Sequence, residues 1–323
     1  MEMIKSKKLV KRFGNLEAVK GISFEVRKRE VFGLLGPNGA GKTTVINILC
    51  TLLTPTEGEA TVNGFDVVKE RSQVRESIGL VFQEPTLDEY LTAEQNLRFH
   101  AYAYGIRKEI LKQRLKALLE MMELWDRRKE KISKYSGGMK RRLEIARGLL
   151  HHPNVLFLDE PTLGLDPQTR RRIWDHILDL RMREDLTIFM TTHYMEEAEN
   201  CDRIAIMDYG QLVALDTPGK LKDAVGGDVV SIRTEDNEKA IRLLKEQYEV
   251  QPSQQNGTVS FTVQHGEEFL PGFVSSFPLH LLSIGLHRPT LEDVFLKLTG
   301  HAIREQELDS FQHLKLMRRM RGH

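Results

Sequence analysis

The sequence predicts an α/β chain: a parallel sheet core with helices on its faces, an N-terminal antiparallel sheet beside it, a helical subdomain, and a small C-terminal α+β domain of ferredoxin-like order. Three observations carry that expectation. The short apolar runs Val31 to Leu35, Val155 to Leu158 and Leu186 to Thr192 read as buried strands separated by helix-patterned segments. The stretch Gly36-Pro37-Asn38-Gly39-Ala40-Gly41-Lys42-Thr43-Thr44 joins the first of these strands to a helix. Beyond Thr217-Pro218-Gly219 the pattern changes to short strands alternating with amphipathic runs.

In chain order, residues 3–80 read as an antiparallel sheet packed beside one strand and one helix. Val45, Ile46, Ile48, Leu49, Leu52 and Leu53 are expected to line a single face of that helix. Residues 84–150 read as mainly helical. There Leu111, Leu115, Leu118, Leu119 and Met122 recur at helical spacing amid lysines and arginines read as a solvated face. Residues 151–217 return to strand–helix alternation. The expected organisation is a first domain over 1–220, with its helical subdomain at about 84–150, then an accessory α+β domain over 225–300 and a basic tail over 301–323.

Within the accessory domain, Val229 to Arg233 alternates as a strand, Asn237 to Gln247 is amphipathic, and Tyr248 to Gln251 reads as extended. Asn256-Gly257 is a hairpin signal leading into Thr258 to Val263. Phe269 to Leu286 carries no formal charge, but Pro271, Gly272 and Pro278 interrupt it. It reads as a short helix followed by a buried strand, not as a bilayer span. The tail contains Lys315, Arg318, Arg319 and Arg321, which read first as a solvated terminus and alternatively as a contact for anionic lipid or an acidic partner.

The 323 residues suffice for about two domains, each with a core of its own. Lysine plus arginine number 47 against 46 acidic residues, so no global field favours nucleic acid, and none is expected as a partner. Cys50 and Cys201 fit no metal or redox spacing and read as small buried hydrophobes in a reduced compartment. The N-terminus goes directly into strand-like sequence with no signal-peptide apolar region.

The Gly36–Thr44 stretch satisfies GxxxxGK[ST] in the setting that this pattern requires, between a strand and a helix. Its glycines let successive N–H groups curl round a phosphate, and the helix N-terminus adds its positive dipole end. Lys42 can then reach the β and γ phosphates, and Thr43 can offer a hydroxyl to Mg²⁺. Tyr135-Ser136-Gly137-Gly138-Met139 opens a second helix with an apolar face of Leu143, Ala146, Leu149 and Leu150. The run ending in Asp159-Glu160 delivers two carboxylates at the C-terminal edge of a strand, where open α/β sheets bind ligands.

This order of phosphate loop, Ser-Gly-Gly and apolar strand with Asp-Glu resembles the nucleotide-binding subunit of ATP-binding cassette transporters, a phosphate-loop NTPase. Gln83 stands where that family has its Q-loop glutamine, and Leu163-Gly164-Leu165-Asp166 matches its D-loop. His193 matches the switch histidine and Phe13 the aromatic that stacks on adenine. The resemblance covers about residues 3–217. Tyr135 and Met139 depart from the commoner Leu and Gln; the Tyr-Ser-Gly-Gly-Met form resembles daunorubicin-resistance-type exporters. So do the segments Val81 to Asn96 and Leu291 to Gly300.

The resemblance implies an ATPase that binds ATP and Mg²⁺. Nucleotide would contact Phe13, Gly36 to Thr44, and Ser136, Gly137 and Gly138 of a second subunit. Thr43, Gln83 and Asp159 would hold the metal, Glu160 would polarise the attacking water, and His193, Gln83 and Lys42 would complete catalysis. A head-to-tail homodimer, or a pair with a similar chain, and a separate integral membrane permease are the implied partners, on the inner face of the cell membrane. The competing readings are a soluble cassette ATPase acting on DNA or ribosomes and a ligand-regulated ATPase module. The long coiled coil or tandem cassettes of the DNA and ribosome classes are not in the sequence.

Overall fold

Long stretches of mixed apolar and polar residues form β1 (Glu2–Phe13) and β2 (Leu16–Arg27), which pair antiparallel out to Phe13↔Leu16. The computed structural model describes residues 2–183, 185–255 and 257–300. It falls into two units, Met1–Leu215 and Asp216–His323. The basic tail expected over 301–323 lies outside the described residues.

In the first unit, β3 (Val31–Leu35) leads through a glycine-rich loop into α1 (Lys42–Leu49), followed by β4 (Glu57–Val62), β5 (Phe65–Asp66), α2 (Arg71–Ser77) and β6 (Ile78–Val81). Helices α3 (Ala93–Ala103), α4 (Lys108–Met121) and α5 (Gly137–Gly148) come next. The chain then alternates through β7 (Val155–Asp159), α6 (Pro167–Arg183), β8 (Thr187–Thr192), α7 (Met195–Ala198), β9 (Arg203–Asp208) and β10 (Gln211–Asp216). Two sheets result, a four-stranded one in the order β2-β1-β4-β5 and a six-stranded one in the order β10-β9-β3-β8-β7-β6.

Strand β3 pairs parallel with both β8 and β9, and β7 pairs parallel with β8 and β6. Every residue of β3, β7 and β8 is buried, as a parallel sheet covered on both faces requires. The two sheets share one core. Phe24 of β2 stacks on Phe32 of β3 at 5.6 Å, and Phe189 of β8 lies 5.5 Å from both Phe32 and Phe157 of β7. Each such ring removes on the order of 200 Å² from water. The buried face of α1, Val45, Ile46, Ile48 and Leu49, packs into the same core. Leu52 and Leu53 do not extend that helical face as expected. The N–H groups of both donate to Asn47 O, at 2.8 and 3.0 Å, and Thr51 adopts φ +65°, so the chain leaves the helix before them.

The second unit runs α8 (Pro218–Val225), β11 (Asp228–Thr234), α9 (Asn237–Gln247), β12 (Ser253–Gln255), β13 (Thr258–Val263), α10 (Gly266–Ser276), β14 (Leu281–His287) and α11 (Leu291–Thr299). Its sheet has the order β12-β13-β11-β14, and Val230, Ile232, Val259 and Phe261 form a core with Leu244 of α9 and Phe273 of α10. Two details differ from the sequence expectation. Residues 248–251 are not a strand: Tyr248 ends α9 with its ring 5.2 Å from that of Phe273, Glu249 turns at φ +53°, and pairing starts only at Ser253. Strand β14 is an edge strand and so only partly covered, with Leu282 57 % exposed. Asn256 of the expected hairpin lies outside the described residues. Among the described residues no helix is long and apolar enough to cross a membrane.

Candidate functional site

Sheet order and register place the candidate residues together. In the adjacent strands β3-β8-β7-β6, Leu35 pairs with Thr192, Asp159 with Thr191, and Val81 with Leu158. Gly36, His193, Glu160 and Gln83 therefore all emerge just beyond the carboxyl ends of neighbouring parallel strands, where such sheets bind ligands. Residues more than a hundred positions apart meet there because parallel neighbours present the same end.

The loop after β3 is shaped by close backbone approach. A Cβ on Gly36 would stand 2.2 Å from Met207 O, and one on Gly41 would stand 2.4 Å from Ala18 O at a φ of +104°. Gly41 is also the N-cap of α1, and no side chain caps that helix. Helices α2, α4, α7 and α10 also lack a side-chain cap; at α1 the uncapped amides open on the glycine loop, as in an anion cradle. Gly36→Ala should cost about 1–3 kcal/mol in urea denaturation, because β9 must shift to admit the methyl group. A midpoint equal to the parent's would show that the loop yields freely.

Lys42 is buried, and its Nζ donates to Gly36 O at 2.8 Å and to Pro37 O at 3.0 Å. The same ammonium lies 3.3 Å from Glu160 Oε1, while His193 Nδ1 lies 3.2 Å from Glu160 Oε2. Asp159 Oδ1 accepts from Thr191 Oγ1 at 2.5 Å and from Thr43 Oγ1 at 3.3 Å. Burial raises the Asp159 carboxyl above its ordinary range, and the hydroxyls of Thr191 and Thr43 only partly offset it. Burial pushes Glu160 up as well, but His193 and Lys42 together outweigh it and leave the carboxyl below its ordinary range. Two adjacent acids are thus separated by environment: Glu160 is held as a carboxylate between two basic groups, and Asp159 is bound to hydroxyls.

A family model described as ABC transporter matches residues 19–163. The linearmycin resistance ATP-binding protein LnrL of Bacillus subtilis is 39% identical over 312 residues, covering 94% of this chain and 100% of the relative. The chain belongs to the ABC transporter family. It is an ATP-binding, ATP-hydrolysing subunit of that family. The daunorubicin/doxorubicin resistance ATP-binding protein DrrA of Streptomyces peucetius is 37% identical, covering 92% of each chain. Among solved structures, a dimeric post-hydrolysis ATP-binding cassette bound to ADP and Pi is similar at TM-score 0.60 and 29% identity, covering 67% of this chain and 98% of that one.

The remaining expected site residues of the cassette lie outside this contact cluster. Ser136 caps α5, its Oγ accepting from Met139 N at 3.3 Å. A Cβ on Gly138 would meet Thr169 Cγ2 at 2.3 Å and one on Gly137 would meet Leu165 Cδ2 at 3.2 Å, so these glycines sit against the segment that follows Glu160. Asp166 caps α6 through Gln168 N and Thr169 N. Phe13 ends β1 with its ring 46 % exposed and Lys11 Nζ 5.1 Å from its centroid. Gln83 is exposed.

Four residues that sequence reasoning passed over surround the cluster. Thr191 Oγ1 accepts from Glu160 N at 3.1 Å while donating to Asp159. Glu197, fully enclosed, accepts from Thr192 Oγ1 and Thr162 Oγ1, joining the approach to His193 with the segment after Glu160. Burial raises its carboxyl above the ordinary range. Arg141 and Glu144 on α5 are the other two. No local pattern marks them, since Lys140-Arg141-Arg142 reads as a charged surface run.

Near Gln83 a cleft of about 480 Å³ opens among Leu52, Phe82, Thr86, His100 and Tyr104. Its His100 is lowered to about 4 by burial and by the neighbouring Arg147 charge, so the imidazole is neutral at physiological pH.

Proposed function

We propose that this cassette hydrolyses ATP in a head-to-tail dimer and thereby drives export of a hydrophobic, drug-like molecule through a separate membrane subunit. The observation that carries the reading is Glu160 held between Lys42 at 3.3 Å and His193 at 3.2 Å at the carboxyl edge of the sheet. Glu160 would accept a hydrogen bond from the attacking water and polarise it, and His193 would hold that water against the γ-phosphate. Lys42 and the amides opening α1 would stabilise the charge on the transferring phosphoryl group, with ADP as the leaving group. The Thr43 hydroxyl and the Asp159 carboxylate fit a Mg²⁺ ion, to which Gln83, at the same edge of the sheet, would add a third ligand, and the ion's charge would neutralise phosphate oxygens. The hydrogen bond between Thr43 and Asp159 supports that pairing.

Phe13 is exposed, and the face of its ring opposite Lys11 would take an adenine. Ser136, Gly137 and Gly138 form a helix N-terminus suited to the γ-phosphate of a second subunit's nucleotide. The names of the relatives, linearmycin and daunorubicin/doxorubicin resistance, support export of drug-like molecules. The cleft beside Gln83 would seat the membrane subunit, so that movement of the Gln83 loop reaches it.

The test is ATP turnover by the purified chain, alone and together with whatever integral membrane protein co-purifies from its host. Turnover stimulated by a multi-span partner is the expected result. Turnover indifferent to any membrane protein, with nucleic acid or ribosomes recovered instead, would overturn the transport reading.

A further inference from the structure

Glu160 has a backbone φ of +45°, in the left-handed region where an L-residue other than Asn or Asp is held only at a cost of about 1–2 kcal/mol. The contacts that hold it there come from two sides. On one side its N–H donates to Thr191 Oγ1 at 3.1 Å and lies 3.2 Å from Thr191 O. On the other side stands a single guanidinium. Arg141 Nη2 donates to Asp159 O at 2.9 Å and to Glu160 O at 3.0 Å, and Arg141 Nε donates to Pro161 O at 2.5 Å. Three successive carbonyls turning to one cation require the chain to curl, and the curl is the left-handed residue.

The third nitrogen completes the set. Arg141 Nη1 donates to Phe82 O, immediately before Gln83, and to Glu144 Oε2 at 3.2 Å. All the donors of a guanidinium are thereby used. Glu144, 0% exposed, also accepts from Thr86 N at 2.8 Å, so both side chains tie α5 to the Gln83 loop. Arg141 itself is 6% exposed, which leaves no role for it in solvating the surface.

We infer that Arg141 is a positioning residue for ATP hydrolysis: it fixes the backbone of Glu160, and so the aim of the Glu160 carboxylate, and ties that aim to the Gln83 loop and to the helix that Ser136 opens. The inference rests on the reading of Glu160 as the group that polarises water. It assigns to α5 a second task besides carrying Ser136. A change in the position of α5 reaches Glu160 through one side chain.

Arg141→Lys is the informative variant, because an ammonium keeps the charge opposite Glu144 but has neither the planar fork nor enough donors for three carbonyls. The expected result is a kcat about 100-fold lower, as for a catalytic group displaced by about 1 Å. The dissociation constant for ATP, measured with a fluorescent nucleotide, should change by less than about twofold, because no phosphate contact is removed. A kcat equal to the parent's overturns the inference, and so does a loss of ATP affinity that matches the loss of kcat.

Should Arg141→Lys fail to fold, Glu144→Gln decides. It loosens the anchor of Arg141 at constant shape, and kcat should fall about tenfold with ATP affinity kept. An unchanged kcat in that variant overturns the inference. Glu160→Gln measured in parallel separates the two claims. If it still turns over normally, the reading of Glu160 fails; if it is inactive while Arg141→Lys is fully active, only the role of Arg141 fails.

Discussion

Glu160→Gln should keep ATP binding, lower turnover about 10²–10⁴-fold, and accumulate a nucleotide-bound dimer. The carboxamide matches the carboxylate in shape, so the chain path held by Thr191 and Arg141 is kept. It cannot polarise water as an anion does. ATP affinity should hold or rise, because the substitution takes a negative charge from beside Lys42, which then faces the phosphates with one competitor fewer. Size-exclusion chromatography with and without ATP reads the dimer, and phosphate release reads the turnover. Normal turnover would remove Glu160 from its assigned role.

Lys42→Ala should act one step earlier, on binding. Its Nζ is the cation that joins the Gly36 and Pro37 carbonyls to Glu160, and it is buried. Charge-assisted bonds of this kind are worth about 1.5–3 kcal/mol each, so affinity for ATP should fall about 10- to 100-fold and hydrolysis with it. The truncation also leaves Glu160 without its nearest cation, which opposes recovery by other contacts. Isothermal titration with ATP is the measurement; an unchanged dissociation constant would contradict the assignment of this loop to phosphate.

The two variants separate binding from chemistry, and the Arg141 variant adds positioning as a third class. Only the first two residues are marked by a local sequence pattern. Lys42 belongs to a contiguous nine-residue pattern, and Glu160 follows an apolar strand that announces itself by composition. Arg141 lies 18, 19 and 20 positions from the carbonyls it binds and 59 from Phe82 O, within a basic run that reads as solvated. Glu197 was likewise out of reach, since its two hydroxyl partners come from segments joined only by the sheet.

Secondary structure shows the same division. Apolar runs with fixed neighbours, such as Val31 to Leu35 before its glycine loop, were legible because local sterics and burial agree. The strand read at Tyr248 to Gln251 was not, because an aromatic contact with Phe273 claims Tyr248 for the end of α9. The exposure of β14 has a similar reason: its sequence is apolar, while its place at the sheet edge leaves one side without a neighbour.

The sequence by itself determined the chemistry of this protein: a loop whose glycines and lysine suit phosphate, an acid pair at a strand end, and the order of motifs that marks the family. Tertiary structure alone decided the aim of that chemistry. Parallel register brings Gly36, Glu160, Gln83 and His193 to one edge, and a buried guanidinium from a distant helix holds Glu160 in a conformation that its own residue type disfavours. Composition and spacing follow from local steric and solvation rules, whereas which buried donor meets which carbonyl follows only from how whole elements pack.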